Sequence, residues 1–91
     1  MSAKEKEIEK VDVLEKSIRE YELILLNDDI NTFDYVIDVL IRVCGHDPIQ
    51  AEQCAWITHF NGKCSVRSGD LEEMSELCMS LLEADLRAEV N

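Results

Sequence analysis

The sequence predicts an α+β fold, a two-layer sandwich in which a three-stranded antiparallel sheet carries three helices on one face, in the order β-α-α-β-α-β. Three observations lead there. Residues 20–26 form a nearly continuous, β-favouring apolar run of the length of a buried strand. Three segments, opening at Phe33, Pro48 and Leu71, repeat apolar residues at helical spacing behind good N-cap residues. Two shorter segments, 63–67 and 86–90, read as further strands, the last alternating like a half-buried one.

The first strand stops at Asn27, and Thr32 suits the N-cap of a helix that places Phe33, Val36, Ile37, Leu40 and Ile41 on one side. Gly45 stands where a left-handed residue usually closes a helix. Asp47-Pro48-Ile49-Gln50 combines an N-cap, a first-turn proline and a capping-box glutamine. The second helix therefore starts there, carries Ala51, Cys54, Ala55 and Thr58 on one face, and ends near Asn61-Gly62. Asp70-Leu71-Glu72-Glu73 is another capping box, and Leu71, Met74, Leu77, Cys78, Leu81 and Leu82 mark the third helix. A one-helix crossover makes the second and third strands parallel neighbours or leaves room for one strand between them. The first strand is the most apolar, which places it in the centre, antiparallel to both.

Charge and composition narrow the function. The net charge of −11 excludes nucleic acid and anionic membranes as partners, since both need a Lys/Arg surface. Residues 21–91 hold 14 acidic and 4 basic side chains, so the acidity belongs to the folded body, residues 18–91. Residues 1–17, rich in Lys and Glu with few apolar residues, read as a flexible tail. The N-terminus has no signal-peptide core and no run reaches the length of a membrane span, so a reducing, cytoplasmic location is expected. Cys44, Cys54, Cys64 and Cys78 form no C-x-x-C pair and fall on apolar faces, as core thiols do.

No cofactor or metal is expected. Asp29-x-Asn31 begins like a calcium loop, but Asp34 replaces the glycine of the sixth position and Leu40 the glutamate of the twelfth. Cys44 with His46, and Cys54 with His59, lack the spacing of a structural zinc motif. A Cys-His nucleophile has no identifiable orienting group, so an enzyme is not the reading.

The corner after the first strand carries more chemistry than a turn requires. Asn27, Asp28 and Asp29 follow Leu23-Ile24-Leu25-Leu26 directly, and adjacent carboxylates repel unless a cation or solvent offsets them. The corner is either a cation site or an acidic turn. His59, near the end of the second helix, is either a cap or surface residue or a partner of that corner.

Taken together, Leu26-Asn27-Asp28-Asp29, the run Thr32-Phe33-Asp34-Tyr35-Val36-Ile37-Asp38-Val39-Leu40, and His59-Phe60-Asn61-Gly62-Lys63 resemble the ClpS family of adaptors. The resemblance spans about residues 20–90. It implies a non-enzymatic adaptor that recognises proteins beginning with Leu, Phe, Tyr or Trp and hands them to a Clp AAA+ unfoldase, of ClpA or ClpC type, working with ClpP. It further implies that Asn27, Asp28, Asp29 and His59 surround the substrate's free α-amino group, while Leu25, Asn31, Phe33, Val36, Ala55, Thr58 and Leu86 form the pocket for the first side chain. Family members often carry Met where Phe33 and Ala55 stand and an aliphatic residue in place of Thr58, so the pocket's width is this chain's own. No residue here matches the lysine that the family sets against the unfoldase. The alternative is an interaction module of the same fold, like the C-terminal domain of the ribosomal stalk protein, which lacks the Asn-Asp-Asp and His pairing.

Overall fold

The structure, a computed structural model, describes residues 19–91. The charged segment 1–17 read above as a tail lies outside the described residues. Strand β1 (Tyr21–Leu26) is followed by helices α1 (Phe33–Cys44) and α2 (Pro48–Asn61), strand β2 (Lys63–Gly69), helix α3 (Leu71–Glu83) and strand β3 (Arg87–Val90). The sheet order is β2-β1-β3 with both pairings antiparallel, so the most apolar strand is the central one.

Each helix begins as its sequence dictates. The side chains of Thr32, Asp47 and Asp70 accept from the backbone N–H of Tyr35, Gln50 and Glu73, satisfying donors that the first turn leaves free. Gly45 and Gly62 end α1 and α2 in left-handed conformations at φ 69° and 87°. Helix α3 ends differently: the left-handed residue is Asp85, φ 67°, one of the few side chains that tolerates this region.

Leu23, Leu25, Val39, Leu40, Met74 and Leu81 fill the space between the sheet and the helices. The pairing of β1 with β2 shifts register between Leu23 and Ile24, leaving Val66 as the extra residue. Its carbonyl is not wasted: Nε2 of buried His46 lies 2.6 Å away and, facing a pure acceptor, carries the proton. Arg67 then donates to the Cys44 carbonyl at 2.7 Å and to Glu73 at 3.3 Å, tying the end of α1 to β2 and α3.

All four cysteines are free and buried. Burial pushes the Cys44 thiol up to about 11, the Arg67 charge only partly opposing it, and burial together with neighbouring Cys54 pushes Cys64 up to about 12. Only the thiolate is nucleophilic, and at about pH 8 fewer than one in a hundred of either would be ionised. Iodoacetamide should therefore leave Cys44 and Cys64 unlabelled in the native protein and label both once guanidinium unfolds it, as read by peptide mass spectrometry. Fast native labelling at either position would contradict the packing described here.

Candidate functional site

The polar corner after β1 is held in place from three sides. The backbone N–H of Asn27 donates to the Gly62 carbonyl at 2.9 Å, which stitches the end of β1 to the end of α2. Because Gly62 must adopt a left-handed φ to turn the chain into β2, this stitch sets His59, one turn earlier on α2, beside the corner. On the other side the Asn31 amide donates to the Asp85 carbonyl at 2.8 Å, and the Tyr35 hydroxyl donates to the Ala84 carbonyl at 2.7 Å. These two bonds fix the start of α1 to the α3–β3 turn and bring buried Leu86 to the same place.

Within the corner the two carboxylates have different surroundings. Asp28 accepts from the backbone N–H groups of Ile30 and Asn31, both at 2.9 Å, and from the Asn31 amide at 3.0 Å. Partial burial works against its ionised form, but these bonds, with the charge of Arg87, outweigh it and hold the carboxyl below its usual value. Asp28 thus builds the loop it belongs to. The side chains of Asn27, Asp29 and His59 make no hydrogen bond among the described residues, and Asp29 and His59 are exposed.

Below this rim lies a cleft of about 440 Å³. Asn27, Asp28, Asp29 and His59 line it together with Leu25, Asn31, Phe33, Val36, Ala55, Thr58 and Leu86, so every residue singled out from the sequence faces one space. Leu25, Ala55 and Leu86 are also part of the buried interior, which makes this wall rigid. Thr58 adds no free donor to the cleft, because its hydroxyl donates to the Cys54 carbonyl at 2.7 Å. Asn31 faces the cleft while serving as the strut described above.

Two further lining residues, Leu26 and Trp56, were not foreseen. Trp56, half-exposed, packs on Phe33 with ring centroids 4.5 Å apart. Its signal was present in the sequence. A tryptophan beside Ala55 and three residues before His59 had to share their end of α2, but the expected apolar face, Ala51, Cys54, Ala55 and Thr58, leaves it out.

Chemically, the site is an apolar cleft with unengaged acceptors at its mouth. It suits a ligand with an apolar body and a cationic, donor-rich end. Among the described residues no group of His, Cys, Asp and Glu is arranged to hold a metal ion, and no helix is long and apolar enough to cross a membrane.

Comparisons with known proteins bear on the fold and the family. A chain of Agrobacterium tumefaciens, ClpS2 bound to L-phenylalaninamide, superimposes with a TM-score of 0.69 over 79% of this chain and 94% of its own, at 22% identity, and so shares the fold. The ATP-dependent Clp protease adapter protein ClpS of Hydrogenovibrio crunogenus is 39% identical over 61 residues, covering 65% of this chain and 59% of the relative. The ClpS of Salmonella gallinarum is 36% identical over 55 residues, 58% of this chain and 52% of the relative. The matched stretch thus spans only between half and three-fifths of these curated relatives. A family model described as ATP-dependent Clp protease adaptor protein ClpS matches residues 16–89, from before β1 into β3, and with that match over most of its length the chain belongs to the ClpS family.

Proposed function

We propose that this chain is a non-enzymatic adaptor that binds the N-terminus of proteins beginning with a large hydrophobic residue and delivers them to a Clp AAA+ unfoldase, of ClpA or ClpC type, for degradation by ClpP in the cytoplasm. The observation that carries the reading is the pairing of the unengaged acceptors Asn27, Asp29 and His59 with an apolar cleft directly beneath them. An α-ammonium has three N–H donors, and an amide oxygen, a carboxylate and a neutral imidazole nitrogen can accept all three. Asp28, with about one acceptor position left over from its loop bonds, adds negative charge beside them. The first side chain enters among Leu25, Asn31, Phe33, Val36, Ala55, Thr58 and Leu86.

The magnitudes are adequate. Burying a Leu or Phe side chain contributes roughly 1.5–3 kcal/mol, and charge-assisted bonds about 1.5–3 kcal/mol each. One buried side chain with three such bonds supplies roughly 6–12 kcal/mol, from which the cost of association is subtracted. The phenylalaninamide carried by the structural neighbour supports the reading, since that molecule joins a free α-amine to an aromatic side chain and has no carboxylate.

The test is a fluorescence-anisotropy titration with peptides that differ only at residue one. Phe and Leu should bind in the micromolar range and Gly at least tenfold more weakly. Phe33, held by Trp56 at the cleft, should exclude β-branched first residues, so Phe33→Ala should raise binding of Ile- and Val-initiated peptides relative to Leu. Equal affinity for the Phe and Gly peptides would end the proposal, and an unchanged Ile-to-Leu ratio would make Phe33 a packing residue only.

A further inference from the structure

Helix α2 carries large apolar side chains on a second side besides the buried one. One side is buried through Ala51, Cys54, Ala55 and Thr58. The other carries Ile49, Gln53, Trp56 and Phe60 at spacings of four, three and four residues, which places them in one stripe. Ile49 is 71% exposed, Trp56 44% and Phe60 73%. Packing on Phe33 accounts for one side of Trp56, but not for a Phe60 ring left 73% exposed one turn further along the same stripe.

The rings are ordered against each other. Trp56 and Phe60 lie 5.3 Å apart with planes 11° from parallel, and the His59 ring meets the edge of both. Trp56 and His59 also line the cleft, so the stacked pair continues its wall outward without a break. A chain whose first residue occupies the cleft has to leave along its margin, and this aromatic shelf is part of that margin.

We infer that the Trp56–Phe60 shelf is a second subsite, which seats an arginine side chain carried at position two or three of the bound N-terminal segment. This inference rests on the adaptor reading given above and extends it to the residues after the first. Aromatic faces attract cations, and the planar guanidinium stacks on them best. The local charge agrees: α2 contains Glu52, one turn before Trp56, and neither Lys nor Arg. Asp34 stands next to Phe33 at the start of α1, and Asp29 is exposed on the rim. An acidic residue at position two or three would meet the same field with the opposite sign.

The experiment is a set of Phe-initiated peptides with Gly, Arg, Leu or Glu at position two or at position three, titrated against the full chain, Phe60→Leu and Trp56→Leu. Phe60 does not line the cleft and is the variant that leaves the first-residue pocket intact. Arg at one of the two positions should bind about three- to fivefold more tightly than Gly, the range exposed cation–π contacts supply, and Glu more weakly than Gly. In Phe60→Leu and Trp56→Leu the Arg-to-Gly ratio should fall to within about twofold of unity, whereas a preference due only to the protein's net charge would survive both substitutions. Equal binding of Arg and Gly, a ratio unmoved by either variant, or Leu gaining as much as Arg would overturn the inference while leaving the adaptor reading standing. Failure of the Phe-Gly peptide to bind at all would remove both.

Discussion

Acetylating the α-amine of a Phe-initiated peptide should weaken its binding by at least tenfold. The modification removes the positive charge and two of the three donors but leaves the aromatic side chain as it was. If the cleft alone bound the ligand, acetylation would be nearly neutral. The acceptors at its mouth make the opposite result the expected one, because the side chains of Asn27, Asp29 and His59 make no hydrogen bond among the described residues and would face an uncharged amide. A tenfold loss corresponds to about 1.4 kcal/mol, which one charge-assisted hydrogen bond supplies. His59→Ala should act in the same direction on the free peptide and have little effect on the acetylated one. Such a double-mutant cycle separates an interaction with the amine from a general loosening of α2. Free and acetylated peptides of equal affinity would mean that the rim is an acidic turn and nothing more.

Much of this fold was legible because local signals coincide with the tertiary arrangement. Thr32, Asp47 and Asp70 each precede an apolar repeat of period 3.6 and each caps the helix expected of it. Strand β1 reads as central because Leu23, Ile24 and Leu25 are buried in succession, on both sheet faces, which an edge strand would not allow. The features that escaped the sequence depend on contacts between distant segments. The extra residue at Val66 is stabilised by His46, twenty positions away, and no local pattern announces such a pairing. Asp85 ends α3 in a conformation usually given to glycine, supported by Asn31 donating to its carbonyl from across the fold. Trp56 was overlooked for a different reason: helical periodicity sorts residues into core and solvent, and a side chain that belongs to a cleft is neither.

The two carboxylates, adjacent in sequence, should separate completely when tested one at a time. Asp28 accepts three hydrogen bonds that shape the loop between β1 and α1, so Asp28→Ala should destabilise the fold by about 1–2 kcal/mol, the lower part of the range for charged acceptors because the site is partly solvated. Asp29 makes no such bond among the described residues, and Asp29→Ala should leave stability within about 0.5 kcal/mol of the parent while weakening peptide binding severalfold. The pH dependence fixes the origin of the first effect. The Asp28 carboxyl is held below its usual value in the folded protein, so its contribution is fully present above the unfolded value of about 3.9 and disappears as the pH falls through the folded one. The stability difference between the parent and Asp28→Ala, measured by urea unfolding, should therefore be constant from about pH 7 to pH 5 and shrink below about pH 4. If Asp28→Ala proved as stable as the parent at neutral pH, or if Asp29→Ala unfolded more easily while binding unchanged, the division of roles at this corner would be the reverse of the one drawn from its hydrogen bonds.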